Sequence, residues 1–376
     1  MIYFDNSATT NPKPLSVISS ASLALKNFSY NSGRGGYKQS VNTSEKIYSV
    51  REKASKLLGY DAQNIIFTQN CTAALNMAIK GIVKKGDHIL ISNLEHNAVS
   101  RPVDALAKRG IITYNIFEYD YDEDVLINNI VSQIKPATKL IVCTQASNVF
   151  GCAFPVERIG KIAKENNICF VVDAAQGAGI LEINYAEAGV DICCIAGHKG
   201  LYGPMATGIM AMTEGLKLDT IIEGGTGSSS LNLSQPDFNP DRFEAGSLNN
   251  SGIIGLGAGI DFVSRKGIKN IHKHEMGLVN CIYDELGKNP NAVLYTPSPS
   301  SFKCAPIISF NYKDYSSEKT ANLLAARGIA TRAGLHCAPL AHKAFGTADR
   351  GTVRISPSAF TTANDCEIFL NTLKKL

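Results

Sequence analysis

The chain has 376 residues, enough for two domains or for one large domain with a smaller companion. Hydrophobic residues make up 44% of it and charged residues 19%, which excludes a disordered chain, a collagen-like repeat and a coiled coil. Its 37 basic and 33 acidic side chains are interleaved and give a net charge of +4, so no basic surface for nucleic acid or an anionic membrane is expected. A small-molecule substrate is the remaining expectation.

The sequence carries no signal for export, membrane insertion or metal binding. No apolar stretch approaches the roughly 20 residues of a membrane span, and the N-terminus lacks a basic region followed by an apolar one. The ten cysteines include several in apolar runs, and they form neither a CxxC pair nor a zinc-ligand spacing. We therefore predict a cytoplasmic protein with free thiols and no metal site.

The first half of the chain alternates short β-rich runs with amphipathic helical stretches, which is typical of a parallel sheet with helices on both faces. The predicted strands are 64–68, 88–92, 111–117, 139–144, 168–173 and 191–196, and the predicted helices between them include 47–58, 99–109 and 156–167. This pattern predicts a doubly wound α/β core that binds its ligand beyond the carboxyl ends of the strands.

The second half begins with a Gly-, Ser-, Asn- and Pro-rich segment, 223–250, which predicts a long irregular connection with a functional role. The predicted elements after it are helices at 253–266, 268–286, 317–327 and 363–376, and strands at 306–311, 329–332 and 352–355. We predict a large domain of residues 15–260 and a smaller α+β domain of residues 1–14 and 261–376.

Two polar residues that follow apolar strands indicate the chemistry. The chain has neither a GxGxxG after its first strand nor a GxxxxGK[ST], so nucleotide binding is disfavoured. Asp173 ends one strand and Lys199 follows the next. A desolvated lysine can form a Schiff base and an aspartate can keep a pyridinium nitrogen protonated, so this pair favours pyridoxal phosphate. A turn lysine and a salt-bridged aspartate are the structural alternative.

Three further segments place polar groups at the same edge of the sheet. Cys71 and Thr72 open a helix after a strand, where free N–H groups suit a phosphate, although Thr72 could instead cap that helix. His96 and Asn148 each follow another strand, so an imidazole and an amide are expected in the same crevice.

The motifs, taken in order, resemble those of the fold-type I pyridoxal phosphate enzymes of the class V aminotransferase group, and within it the cysteine desulfurases with a compact catalytic loop. The resemblance covers the whole chain. The matching segments are 3–10, 95–97, 147–151, 173–176, 197–199, 242–247, 331–339 and 351–356.

The resemblance implies a complete cofactor site. Lys199 forms the Schiff base with pyridoxal 5'-phosphate, Asp173 pairs with the pyridinium nitrogen, and His96 stacks on the ring as a catalytic residue. The other implied cofactor-binding residues are Gln176 at the ring hydroxyl, Asn148 in the crevice, Cys71, Thr72 and His198 at the phosphate, and Ser247 reaching the phosphate from a neighbouring subunit. A homodimer with shared active sites is implied.

The same resemblance implies that Cys337 is the nucleophile and that Arg354 binds the substrate carboxylate, with help from Asn148 and Arg332. L-Cysteine would become L-alanine, with its sulfur held on Cys337 as a persulfide until a sulfur-acceptor protein takes it. Because a free thiol is only a few per cent ionised at neutral pH, an activating role is expected for His336 and Arg332.

Alternatives stay open on substrate and reaction. L-Selenocysteine could replace L-cysteine, and an aminotransferase or β-eliminating lyase in which Cys337 is incidental is the alternative function. Four positions depart from the family pattern: Ala196 stands at a frequent hydroxyl position, Cys71 at a frequent threonine, Leu335 at a histidine of the compact-loop enzymes, and Gly33 at a histidine near the entrance. The acceptor and the preferred substrate therefore stay undetermined.

Overall fold

The computed structural model describes residues 1–32, 35–299 and 303–376. Gly33, singled out above as a departure, lies outside these residues. The strands are β1 (Ile2–Tyr3), β2 (Ile65–Thr68), β3 (Asp87–Ser92), β4 (Ile112–Phe117), β5 (Thr138–Thr144), β6 (Cys169–Asp173), β7 (Ile192–Ala196), β8 (Gly208–Met212), β9 (Ala292–Leu294), β10 (Ile308–Tyr312), β11 (Ile329–Ala330), β12 (Arg332–Gly334) and β13 (Thr352–Ile355).

The helices agree with the predicted ones to within a few residues, except that the helix predicted at 47–58 begins earlier, and three further helices appear. They are α1 (Leu15–Asn27), α2 (Lys38–Leu58), α3 (Cys71–Ile82), α4 (Asn97–Lys108), α5 (Glu123–Val131), α6 (Val156–Glu165), α7 (Asn250–Lys266), α8 (Ile268–Gly287), α9 (Ser317–Ala325), α10 (Pro339–Ala344) and α11 (Ala363–Lys374). The sequence did not predict α1, α5 or the short α10. No helix in the described part of the chain is long and apolar enough to cross a membrane.

The large sheet has the order β2-β8-β7-β6-β5-β3-β4 and is parallel except at β8, which runs antiparallel to β2 and β7. The predicted doubly wound α/β class is therefore confirmed. Successive side chains enter opposite cores: Ile141 packs in one apolar cluster, whereas Leu140 and Val142 pack in the other. Helices thus cover both faces, as a mainly parallel sheet requires. Strand β8 was missed because its sequence, GIMAM, holds a single β-branched residue.

The C-terminal region forms a second, antiparallel sheet with the order β12-β13-β10-β9. The N-terminus joins this region, because β1 pairs in parallel with β11 and Phe4 packs edge-on against Phe369 at a ring-centroid distance of 5.5 Å. The division into a large domain of residues 15–260 and a smaller domain of residues 1–14 and 261–376 stays a prediction.

Residues 213–249, all of which the structure describes, form the irregular connection that the composition predicted. Helix α7 follows it and packs on the turn after Lys199 through glycines. A Cβ added at Gly259 would lie 2.2 Å from the carbonyl oxygen of Leu201, so only glycine permits this approach. The glycine run of α7 therefore supports the backbone behind Lys199.

A buried ion pair ties the irregular connection to the edge of the large sheet. The Arg51 guanidinium binds Glu244, and both side chains are about 95% buried, with relative exposures of 6% and 5%. Arg51 also donates to the carbonyl of Ile65, while Glu244 accepts from the Phe67 N–H group at 2.6 Å. Helix α2, strand β2 and the irregular connection thus share one polar anchor.

We predict that Glu244→Ala lowers the free energy of unfolding by about 3–5 kcal/mol, because it leaves the Arg51 charge buried without a partner. Urea unfolding at a fixed protein concentration measures this. Asp219→Ala, which breaks the exposed pair between Lys84 and Asp219, is the control and should cost at most about 1 kcal/mol. Equal losses in the two variants would contradict the prediction.

Candidate active site

The carboxyl ends of the parallel strands converge on a cavity of about 190 Å³. Eight of the nine predicted cofactor-binding residues line it, namely Cys71, Thr72, His96, Asn148, Asp173, Gln176, His198 and Lys199. The ninth, Ser247, instead lines a larger cavity of about 740 Å³, together with Asn31 and Arg51. The structure therefore brings the predicted set together within one chain, except for the residue expected to act on a neighbouring subunit.

Asp173 and Lys199 stand at adjacent strand ends. Asp173 is 3% exposed, and its Oδ1 accepts from the Ala175 N–H group at 2.9 Å and lies 3.4 Å from the Cys71 sulfur. These hydrogen-bond partners are an amide and a thiol, so the salt-bridged alternative is not what the structure shows. Burial lowers the pKa of Lys199, and the nearby Asp173 carboxylate only partly opposes this. A lysine with a lowered pKa suits condensation with an aldehyde.

His96 is held by the first turn of α4. Its Nδ1 accepts a hydrogen bond from the Ala98 N–H group at 3.0 Å, which makes it the N-cap residue of that helix. A neutral ring that accepts at Nδ1 carries its proton on Nε2. Burial lowers the pKa of His96, so the ring is neutral at pH 7. The cavity therefore receives a neutral imidazole of fixed tautomer.

The start of α3 fits an anion. Asn70 caps this helix by accepting from the Ala73 N–H group at 2.8 Å, so the alternative in which Thr72 is the cap is wrong. The N–H groups of Cys71 and Thr72 precede the first intrahelical hydrogen bond and stay available. The Cys71 side chain faces Asp173, so only its backbone is left for a phosphate.

His198 and Gln176 complete the cavity wall. Nδ1 of His198 is buried and has no hydrogen-bond partner among the described residues. Burial and the Lys199 charge lower the pKa of His198 to about 4, so its ring is neutral. Gln176 donates from Nε2 to the Ser7 carbonyl at 3.0 Å. A desolvated lysine, free helix N–H groups and an unpartnered imidazole nitrogen around one cavity fit pyridoxal phosphate.

Arg354 is buried in β13 and reaches the cavity through Asn148. One guanidinium nitrogen donates to Asp5 Oδ1 at 2.8 Å and another to the Asn148 carbonyl at 2.9 Å, while Nε is buried without a partner. Arg332 is half exposed, and its guanidinium lies 3.7 Å from Asp5 Oδ2. Both predicted carboxylate-binding arginines therefore share Asp5. The sequence analysis assigned Asp5 no role, although a buried arginine requires such a partner.

Cys337 lies in a tight turn between β12 and α10, and its side chain is exposed. The Cys337 carbonyl accepts from the Asn97 N–H group at 2.7 Å, directly beside His96. Nδ2 of Asn148 donates to the His336 carbonyl, also at 2.7 Å. The backbone that carries the predicted nucleophile is therefore fixed to two loops of the cavity.

His336 does not provide the expected positive charge. Burial, followed by the neighbouring Arg354, lowers its pKa to about 2, so the ring is neutral throughout the physiological range. A neutral imidazole cannot stabilise a thiolate by charge. Of the two residues predicted to activate the Cys337 thiol, only Arg332 therefore carries a positive charge.

Glu95, which the sequence analysis quoted in a motif without a role, is a fully buried carboxyl next to His96. Oε1 accepts from the Ser92 hydroxyl and from the Thr144 N–H group at 2.8 Å, while Oε2 is buried without a partner. Burial raises the pKa of Glu95 to about 8. This carboxyl therefore joins the ends of β3 and β5 in its neutral form at pH 7. In the sequence, its position between a predicted strand and His96 could have indicated that Glu95 belongs to the site.

The remaining departures have clear positions. Ala196 is buried and lines the cavity, so it contributes an apolar surface there and no hydroxyl. Leu335 is 42% exposed at the start of the Cys337 turn. It therefore presents an apolar side chain at the surface of this turn.

Comparison with known proteins identifies relatives over the whole chain. The family model for Aminotransferase class-V matches residues 2–369. The probable cysteine desulfurases of Methanothermobacter thermautotrophicus and Pyrococcus abyssi are each 31% identical, over 100% of this chain and 94% of theirs. Among solved structures, an apo cysteine desulfurase from Thermococcus onnurineus NA1 superimposes with a TM-score of 0.92 at 31% identity, covering 100% of this chain and 94% of that chain.

We predict that Glu95→Gln flattens the pH dependence of stability. The folded-state pKa of about 8 exceeds the unfolded value near 4.5, so the folded protein retains a proton that the unfolded chain has lost. The free energy of unfolding then falls as pH rises through this window, by up to about 1.4 kcal/mol per pH unit.

Urea unfolding at pH 6 and pH 8 tests this, with the exposed Glu187→Gln as control. Glu95→Gln should lose less stability over this range than the wild type, and Glu187→Gln should follow the wild type. An unchanged pH slope in Glu95→Gln would contradict the prediction.

Proposed function

The chain belongs to the class-V aminotransferase family, in its cysteine desulfurase branch, and from this premise we propose that it converts L-cysteine to L-alanine and holds the released sulfur on Cys337 as a persulfide. The supporting observation is an exposed thiol on an ordered turn whose backbone is fixed beside His96 and Asn148. Transamination needs no thiol, so this arrangement favours desulfuration over the other class V reactions.

Different residues of the cavity would hold different parts of the cofactor. Bound pyridoxal phosphate supplies an electron sink for charge that develops at the substrate α-carbon. Lys199 would hold the aldehyde, Asp173 the ring nitrogen and Gln176 the ring hydroxyl, with His96 against the ring. The N–H groups of Cys71 and Thr72, with His198, would hold the phosphate.

Two side chains would move protons or bind charge during turnover. Lys199 Nζ would take the proton from the substrate α-carbon as a neutral amine, which its lowered pKa favours. Arg354 would bind the substrate carboxylate with Arg332 and Asn148 nearby. Because Asp5 already binds Arg354 and lies near Arg332, the substrate would compete with Asp5 for these cations.

The sulfur step balances without an outside oxidant. The Cys337 thiolate attacks the substrate sulfur, a sulfur–sulfur bond forms, and the carbon–sulfur bond breaks. The carbon fragment takes up protons and leaves as L-alanine, so L-cysteine plus one thiol gives L-alanine plus one persulfide. The same attack on selenium would convert L-selenocysteine. Since Cys337 is exposed, an acceptor protein could remove the sulfur there.

We further propose a cytoplasmic homodimer. All ten cysteines are free thiols, as is typical of a reducing compartment. Leu231 and Leu233 of the irregular connection are fully exposed, and such apolar exposure is typical of an interface. Ser247 lies on the same connection and lines a cavity separate from that of Lys199. It would therefore serve the active site of a second copy.

We expect Cys337→Ser to abolish alanine formation from L-cysteine while leaving the cofactor absorbance intact, because the thiol acts only on sulfur. Alanine is quantified after incubation with L-cysteine or L-selenocysteine, and mass spectrometry maps a +32 Da addition on wild-type Cys337. Cys281→Ser, which removes the other exposed thiol, is the matched control and should retain turnover. Turnover by Cys337→Ser would instead indicate another class V reaction.

We expect the double variant Leu231→Asp, Leu233→Asp to become monomeric and to bind pyridoxal phosphate at least about tenfold more weakly, because each phosphate site loses Ser247 of the other copy. Sedimentation velocity and cofactor titration measure the two effects. Val125→Asp, at an exposed position on α5, is the control and should remain dimeric. A monomeric wild type would refute the dimer without affecting the assigned reaction.

A further inference from the structure

The turn that carries Cys337 has an unfavourable backbone. His336 and Cys337 have φ angles of +49° and +55°, and the Ala338 N–H group donates to the Leu335 carbonyl at 2.8 Å. Two consecutive positive φ angles are those of a type I′ turn, which normally has Asn, Asp or Gly at these positions. A histidine and a cysteine hold this shape only if the surroundings impose it.

Backbone contacts hold one side of the turn, and the His336 ring holds the other. Nδ1 of His336 lies 3.3 Å from Nε2 of His342, and Nδ1 of His342 lies 2.7 Å from Oγ1 of Thr347. All three side chains are at least 93% buried. They form a hydrogen-bonded chain that runs from α10 and the segment after it to the turn.

The geometry of the two rings shows that the contact is a hydrogen bond between their edges. Their planes differ by 12° while their centroids are 5.5 Å apart, a distance too long for face-to-face stacking and suited to coplanar rings joined through nitrogen. One ring must donate and the other accept, so both histidines must carry their proton on the same nitrogen, either both on Nδ1 or both on Nε2. Thr347 can satisfy either arrangement, because a hydroxyl both donates and accepts.

Both rings stay neutral, so the chain cannot break by protonation near pH 7. Burial lowers the pKa of His342 to about 4, and that of His336 is lower still. The charges of Arg354 and Arg332 both act against a positive charge on His336. This hydrogen-bonded chain of side chains can therefore fix the position of the turn, but it supplies no charge to the thiol.

We propose that His342 and Thr347 are positioning residues that fix the His336 ring and thereby hold the turn in the shape that presents the Cys337 thiol. This inference rests on the proposed function for the role of Cys337. The hydrogen-bonded chain itself does not depend on that role.

Thr347→Val tests the proposal, because it keeps the shape of the side chain and removes its hydroxyl. We expect the single-turnover rate of persulfide formation on Cys337 to fall about tenfold, with the KM for L-cysteine unchanged, since small displacements of a reacting group have effects of this size or larger. Thr347→Ser, which retains the hydroxyl, should restore the rate to within about twofold of the wild type.

Thr352→Val is the matched control. Thr352 is fully buried in β13, pairs with Gly334 of β12, and its hydroxyl has no hydrogen-bond partner among the described residues. Its replacement should leave the rate within about twofold of the wild type. A wild-type rate in Thr347→Val, or equal losses in Thr347→Val and Thr352→Val, would overturn the proposal.

Amide hydrogen exchange followed by mass spectrometry gives a readout that needs no turnover. In Thr347→Val, exchange should accelerate at least about tenfold at the N–H groups of Ala338 and Asn97, which donate to the turn, and remain unchanged in β5. Unchanged exchange at the turn would overturn the positioning role. If the wild type forms no persulfide but Thr347→Val loosens the turn, the positioning role stands and the proposed function fails.

Discussion

The cost of burying charge at the ends of the parallel strands organises this molecule. Asp173 ends β6 and Lys199 follows the neighbouring β7, at a cavity lined mainly by polar side chains, and neither has the full compensation that a surface group would obtain from water. The structure responds by lowering the pKa of Lys199 and by supplying Asp173 with an amide and a thiol as partners. The surrounding histidines are kept neutral by the same burial. A cofactor with a ring nitrogen, an aldehyde and a phosphate fits the groups that remain.

The second constraint acts on the polypeptide around the thiol. Residues far apart in sequence meet there: Asp5 follows β1, Asn97 opens α4, Asn148 follows β5, and Arg354 lies in β13. Each contact either pairs a buried charge or holds a backbone carbonyl of the turn. The thiol is thus exposed on a backbone that is itself fixed. Because the backbone is already fixed, the thiol would lose less entropy on adopting the orientation that the proposed attack on the substrate sulfur requires.

Cys337 also differs from the other cysteines in a way that bears on function. Burial raises the pKa of most of them, including Cys71 inside the cavity, and so keeps them inert as small apolar side chains. Cys337 is exposed, in a turn whose backbone is hydrogen-bonded to the loops of the cavity. The difference in environment, and not the number of cysteines, separates a candidate nucleophile from packing thiols.

The sequence by itself determined the alternating strands and helices, the strand ends that carry Asp173 and Lys199, and the motif order that identifies the family. These are local properties, because hydrophobic period and the residues that follow a strand are readable without knowing which strands pair. Only the tertiary structure decided that Asn70 caps α3, that Asp5 is shared between two arginines, and that His336 is neutral and linked to His342 and Thr347. Those outcomes depend on burial and on contacts between distant segments, which no sequence spacing encodes.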